Sequence, residues 1–349
     1  MDEYNLLGRI LPVAESNGFA MEGFWLWCGS AIQGDDGLFH MFSARWSQEL
    51  PFFTGYIVAS EIVHGVAERP EGPYTFREIV LGDRGESFWD GRMTHNPTVL
   101  RWGDGYALFY IGSTYRGQRP GARELAGPQK PACIDECYAN IRIGMVVAKS
   151  LNGPWTRFER PVLDIDPQGW DSTVVTNPAP CLCPDGSLLL YYRSNTPEGL
   201  KIGVAKAETP GEAFQRVLST PVFASLPSVC VEDPYVWYHN GHYEMIAKDI
   251  NGLTCGEVFG GAHFVSADGI HWEYAQERKA YSRHVRFADG REEWLYHLER
   301  PNLCFVNGRP AFLCAAYGQG GGEKQAYGGN FAEMRMSKTL VIPLDTVNL

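Results

Sequence analysis

The side chains best suited to chemistry in this chain are carboxylates standing beside prolines. Glu232 and Asp233 directly precede Pro234, and Glu299 and Arg300 directly precede Pro301. Two further aspartates share a different context, Phe88-Trp89-Asp90-Gly91 and Gly169-Trp170-Asp171-Ser172. Carboxylates held close together push their pKa values apart, so that one keeps a proton while another stays ionised. Cleavage of a glycosidic bond requires such a pair. Each residue alone also has a plain structural reading: Asp233 as a loop cap, Asp90 and Asp171 as Asx-turns, Glu299 and Arg300 as an ion pair. The case for a site rests on convergence, because clustered like charge costs stability and functional sites are where that cost is tolerated.

A repeat brings these residues together. The stretch FWDGRMTHNPTVLRWGDGYALFYIGSTY from Phe88 has a polar step ending in Asn96-Pro97, an apolar run, a turn at Gly103-Asp104-Gly105 and an alternating strand. Proline lacks an N–H and suits the first residue of a strand, and Asp-Gly between apolar runs marks a hairpin. The unit recurs as TNPAPCLCPDGSLLLYYRSNT from Thr176, EDPYVWYHNGHYEMIAKDI from Glu232 and ERPNLCFVNGRPAFLCAAYG from Glu299, with a degenerate copy, GSAIQGDDGLFHMFSARWS, from Gly29. Aligned on the proline slot, the five hairpins stand at 29, 97, 178, 234 and 301.

Two more strands follow most hairpins: Glu61 to Ala67 and Tyr74 to Val80, Ile141 to Ser150 and Trp155 to Arg160, Leu200 to Ala207 and Phe214 to Leu218, Gly261 to Ser266 and Ile270 to Tyr274. The last unit ends with Phe331 to Ser337. Four strands per unit is the blade of a propeller. The fold expected is therefore all-β: one five-bladed β-propeller over residues 1–349, with four-stranded antiparallel blades, closed by an N-terminal strand at Leu7 to Val13. Helical periodicity is nearly absent. A two-domain β-sandwich is the alternative, but it leaves the repeated order unexplained.

In a propeller the first strand of each blade lines the channel, and the residues just before it gather at one mouth. The two positions before the slot are Trp27/Cys28, His95/Asn96, Thr176/Asn177, Glu232/Asp233 and Glu299/Arg300. Six residues before the second position stand Glu22, Asp90 and Asp171. Up to six carboxylates, with His95 and Arg300, are expected on one face.

The bulk properties narrow the partners. A formal net charge of -11 with no run of Lys or Arg argues against nucleic acid and against an anionic membrane. Aromatic residues make up 13%, a surplus that sugar stacking or sheet packing would each explain. Nine cysteines, several in strand contexts, read as reduced buried thiols. Cys133 and Cys137 are spaced to pair or to bind metal, but no second Cys/His pair lies near them. No cofactor or metal is expected. The N-terminus MDEYNLLGRI has neither the basic nor the apolar part of a signal peptide, so a cytoplasmic protein is expected, or a periplasmic or secreted one if a leader has been removed. Arg116 to Asn140, rich in Gly, Pro and charge, is too long for a plain connection. It is expected to reach a pocket rim, where it would limit substrate length, or a neighbouring subunit; homo-oligomers stay open.

The motifs EDP at Glu232 to Pro234, ERP at Glu299 to Pro301, SADGIHW at Ser266 to Trp272, and the pieces LNGPW and PEGPYTF resemble, in order, the five-bladed propeller glycoside hydrolases around family 43, with families 32, 117 and 130 as relatives. The resemblance covers nearly the whole chain. It implies hydrolysis of an oligo- or polysaccharide, with Glu299 as general acid and Asp233 as the residue that orients the site and tunes a pKa. The family's base is an Asp-Pro in an earlier blade; those slots here hold Cys28-Gly29 and Asn96-Pro97, so Asp90 is taken as its substitute. Glu22, His95, Asn96, Asp171, Asn177, Glu232 and Arg300 are expected to bind substrate, Arg300 through its planar fork. The family 32 nucleophile motif is missing. A saccharide-binding or phosphorolytic propeller and a protein-interaction propeller of the WD type are the alternatives. The latter should close the third strand of every blade with Trp-Asp, which here occurs twice and precedes the first strand.

Overall fold

A computed structural model describes residues 3–226, 228–320 and 333–346. The first blade is β1 (Phe24–Gln33), β2 (Phe39–Ser47), β3 (Glu61–Ala67) and β4 (Thr75–Leu81). The second is β5 (Met93–Trp102), β6 (Gly105–Ser113), β7 (Arg142–Ala148) and β8 (Thr156–Arg157). The third is β9 (Thr176–Leu182), β10 (Leu188–Thr196), β11 (Gly199–Ala207) and β12 (Gln215–Arg216). The fourth is β13 (Val231–His239), β14 (His242–Asp249), β15 (Gly261–Ser266) and β16 (Glu273–Tyr281). A small hairpin, β17 (His284–Arg286) and β18 (Glu292–Trp294), leads into β19 (His297–Val306), β20 (Arg309–Gln319) and β21 (Met336–Pro343). Within every blade neighbouring strands are antiparallel and follow chain order, and the blades form the ring of a β-propeller.

The N-terminal segment departs from the expected strand. Leu7–Arg9 is a turn of 3-10 helix, and the segment touches the sheets only through single bridges, Ile10 to Leu344, Val13 to Phe287 and Phe19 to Thr339. One of these falls on β21, the outer strand described in the fifth blade, and one just past its end. Of the strand expected at Phe331 to Ser337, the first two residues lie outside the described residues, and β21 begins at Met336.

Among the described residues three short α-helices are present that the sequence did not announce. They are α1 (Phe52–Ala59), between β2 and β3, and α2 (Ala122–Leu125) and α3 (Ala132–Ala139), both inside the long insertion of the second blade. α1 is apolar around most of its circumference and carries Gly55, so it shows no helical stripe; packing, not periodicity, holds it. Ile57 and Val58 share a core with Leu125, Ile134 and Cys137, and the Cys137 thiol lies 2.9 Å from the Ile57 carbonyl oxygen. The insertion is thus a packed part of the molecule. Cys133 and Cys137 are free thiols on α3. No helix among the described residues is long and apolar enough to cross a membrane.

One backbone device recurs in all five blades. Cys28, Asn96, Asn177, Asp233 and Arg300, the residues directly before the proline slot, have φ of 58°, 53°, 53°, 55° and 52°. At the same place the pairing of the first strand with the second slips: between Trp27 and Ser30, His95 and Thr98, Glu232 and Tyr235, Glu299 and Asn302, and opposite Tyr191 and Arg193 in the third blade. Such a bulge bends the strand and re-aims its side chains. Asn and Asp tolerate this left-handed backbone, whereas Cys28 and Arg300 adopt it at a cost the surrounding fold must bear. The slot itself holds proline four times. In the first blade it is Gly29, where an added Cβ would lie 2.3 Å from the Thr339 hydroxyl.

Candidate active site

The bulges deliver their side chains to one cavity of about 570 Å³ at the mouth of the ring. Trp27, His95, Asn96, Thr176, Asn177, Glu232, Asp233, Glu299 and Arg300 all line it. Cys28 lies just beneath, its thiol donating to the Asn96 side-chain oxygen at 2.8 Å. Nine of the ten positions picked out by the repeat alignment therefore face the same space, whose size is ordinary for a small-molecule site.

Asp90, Asp171 and Glu22 do not join them. Asp90 is fully buried inside the second blade, where Tyr110 donates to it at 2.7 Å and Arg84 and Arg157 neutralise it. Asp171 repeats this arrangement in the third blade, with Tyr192 at 2.8 Å and Arg216 at 2.7 Å. The preceding tryptophans stack on the same tyrosines, Trp89 on Tyr110 and Trp170 on Tyr192. Each tyrosine lies over a glycine on the next strand, Gly144 or Gly203, where a Cβ would come within 2.6 or 2.4 Å of the ring. The Trp-Asp motif is a lock between strands, which explains why it repeats. The expectation that Asp90 serves as the base, and Asp171 as a substrate contact, fails on this geometry. Glu22 is exposed and is not among the residues that line the cavity.

Three carboxylates remain, from two adjacent blades. One oxygen from each of Glu232, Asp233 and Glu299 lies within 4.8 Å of the others. By spacing alone the group could ligate a cation, but Lys248 supplies one from the protein. Its ammonium lies 3.1 Å from Glu232 and 3.0 Å from Glu299, with the Phe259 ring 5.0 Å away. Glu299 also accepts from His297 at 2.8 Å. Burial raises the Glu299 pKa, yet Lys248 and His297 outweigh it and hold the carboxyl down to about 2. Asp233 goes the other way: burial, then the charge of Glu232, push it up to about 6. It accepts from the Asn177 amide and from the Arg300 backbone N–H at 3.2 Å.

Arg300 is more inward than expected. The terminal nitrogens of its guanidinium meet Asp233 at 3.8 Å and the carbonyl oxygens of Asn96 at 3.2 Å and Pro178 at 3.5 Å, so it ties the second, third and fifth blades together across the ring. His95 is held neutral, since burial and then Arg300 push its pKa down to about 3. Ser60 meets its Nδ1 at 2.7 Å, and Tyr56 stacks on its ring.

The remaining walls are apolar. Trp27 and Trp46 are joined by Phe52, Phe53, Tyr56 and Ile57 of α1, by Ile134 and Tyr138 of α3, and by Phe259. Lys130 and Asp135 form an ion pair at the rim. The insertion thus reaches the cavity, as its length suggested. An aromatic wall facing a floor of charged groups suits a ligand with apolar faces and polar edges.

Lys248 and Arg193 were not foreseen. Both stand on the second strand of a hairpin, opposite a residue that was: Lys248 pairs with Glu232 and Arg193 with Thr176. Extending the repeat alignment across the turn, where Asn240-Gly241 and Asp185-Gly186 set the register, would have found them.

No protein-family profile matches the chain, and neither does any curated protein sequence. Solved structures do. A family 117 glycoside hydrolase, Zg3597, from the marine bacterium Zobellia galactanivorans superposes with TM-score 0.61 at 15% identity, covering 98% of this chain and 89% of the other. A thermostable family-43 glycoside hydrolase gives TM-score 0.57 at 12% identity, covering 97% and 94%. The GH43_1 enzyme from Xanthomonas citri gives TM-score 0.55 at 14% identity, covering 94% and 90%. The chain has the five-bladed propeller fold found in these glycoside hydrolases.

Proposed function

We propose that the protein hydrolyses a glycosidic bond in an oligo- or polysaccharide, with the reaction carried by Glu232, Asp233 and Glu299. The observation that supports this most is the convergence of three carboxylates with opposed electrostatics on the floor of an aromatic cavity. The fold shared with propeller glycoside hydrolases agrees with it.

The roles differ from those the resemblance implied. A general acid must carry a proton, and Glu299 is the carboxyl held ionised. Glu299 is therefore the nucleophile that attacks the anomeric carbon. The proton for the departing oxygen comes from Asp233, paired with Glu232: burial and then the Glu232 charge raise its pKa. Oxygens within 4.8 Å are closer to the roughly 5–5.5 Å of a retaining pair than to the roughly 6.5–9.5 Å of an inverting one, so the anomeric configuration is kept. Water, activated by the same pair, then releases the sugar. Lys248 holds Glu232 and Glu299 together and keeps Glu299 charged.

The pH profile tests this assignment. Asp233 has a raised pKa, so the proton it holds is present below about pH 6 and lost above it. Activity on an unactivated glycoside should fall by about tenfold per pH unit above roughly 6. A rate that climbs from about pH 6 to about pH 8 would reject the Glu232–Asp233 pair as the acid.

A further inference from the structure

The three permanent cations on the cavity floor are not equally matched. Lys248 sits between two carboxylates at 3.1 and 3.0 Å, and Arg300 turns both terminal nitrogens inward to Asp233 and to the Asn96 and Pro178 carbonyls, leaving only its Nε without a partner among the described residues. Arg193, on β10, has only loose partners. Its Nη1 is 3.5 Å from Glu232 and its Nη2 is 3.4 Å from the Tyr138 hydroxyl, both at the outer limit of a hydrogen bond, and its Nε has no partner among the described residues. Yet the side chain is only 10% exposed. A buried guanidinium offers five N–H donors, and leaving them unmet is costly.

One neighbour of Arg193 is a donor as well. Tyr138 comes from α3 of the insertion and receives the Asn195 amide at 3.2 Å, so its own hydroxyl hydrogen can point elsewhere. Glu232 is shared, since its other oxygen belongs to Lys248. Among the residues lining the cavity, Lys130, Arg193, Lys248 and Arg300 balance Asp135, Glu232, Asp233 and Glu299 only when every carboxyl is ionised. An acid that carries its proton leaves one positive charge in excess. The formal net charge of -11 for the whole chain does not cancel this, because charges beyond about 8 Å are largely screened at physiological ionic strength.

We propose that the cavity selects an acidic sugar, a uronate whose carboxylate lies against the Arg193 fork and accepts a further hydrogen bond from Tyr138. This rests on the reading of the cavity as a saccharide site and names the substrate class for it. Planar, two-point recognition of carboxylate is the property of guanidinium that lysine lacks. The insertion thereby contributes a specificity contact as well as a wall.

Isothermal titration with D-glucuronate, D-galacturonate and D-mannuronate, each beside its neutral hexose, tests the proposal on the folded protein. At least one uronate should bind about tenfold to a hundredfold more tightly than its neutral counterpart, as expected for hydrogen bonds to a charged group. Arg193→Gln should erase that preference, weakening the uronate far more than the neutral sugar, and Arg193→Lys should restore only part of it. Tyr138→Phe removes a single hydroxyl and should weaken the uronate alone, which serves if the arginine variants fail to fold. Equal binding of uronate and neutral sugar, no binding of any uronate, or an equal loss of both in Arg193→Gln would each overturn it. Turnover separates the two claims. Selective uronate binding without cleavage of any aryl uronoside sinks the hydrolase reading and upholds this one, whereas cleavage of neutral aryl glycosides with no uronate preference does the reverse.

Discussion

Glu299→Gln is expected to lower turnover by about 10⁴-fold on natural and activated glycosides alike, at the upper end of what a positioned catalytic group contributes. The reason is that the glutamine amide cannot form the glycosyl–enzyme bond, whatever group departs. Asp233→Asn should behave differently. It withdraws a proton donor, so it should cost roughly 10² to 10⁴ on a natural glycoside and much less on a nitrophenyl glycoside, whose leaving group needs little protonation. Stopped assays on both substrate types with both variants decide the matter. Should Glu299→Gln spare the activated substrate and Asp233→Asn abolish it, the roles are exchanged and Glu299 is the acid, as the family resemblance implied.

The second large effect concerns stability. Asp90→Asn leaves Arg84 and Arg157 beside a neutral amide inside the second blade. Breaking a buried ion pair typically costs about 3–5 kcal/mol; both arginines keep some contact with water, so roughly 2–4 kcal/mol is expected. For a chain of this size that is a fall in Tm on the order of 3–5 °C. Turnover per folded molecule should stay near that of the parent, because Asp90 faces no part of the cavity. Calorimetry and an active-fraction assay measure the two separately. Normal stability with lost turnover would return Asp90 to the catalytic machinery.

These two residues show what the sequence could and could not reveal. The positions before the proline slot were legible because the backbone device that aims them, a left-handed residue at a bulge before proline, is written into the repeat itself. Aligning five hairpins was enough to predict a propeller and to place Glu232, Asp233 and Glu299 together. Asp90 and Asp171 also recur in register, but recurrence marks any feature a blade needs, and here the need is a Trp–Tyr–Asp–Arg lock. A repeated carboxylate is equally consistent with a site and with a strut; only its partners tell them apart. Arg193 and Lys248 were hidden for a different reason. They lie across a turn from the motif residues, and cross-strand pairing has to be worked out before they come into view. The helices were hidden because their stability comes from the core they share, Ile57 and Val58 against Ile134 and Cys137, and short apolar segments carry no helical period.

The central claim is hydrolysis by the carboxylates of the fourth and fifth blades. It is tested most directly by incubating a panel of aryl glycosides and oligosaccharides in oxygen-18 water, following the first-formed product by NMR and mass spectrometry, with wild type and a folded Glu299→Gln variant side by side. The account predicts a free sugar carrying one heavy oxygen at its anomeric carbon, formed without phosphate and with the substrate's configuration retained, and no product from the variant. No product with wild type, a sugar phosphate, an unsaturated product, or equal cleavage by Glu299→Gln would contradict it.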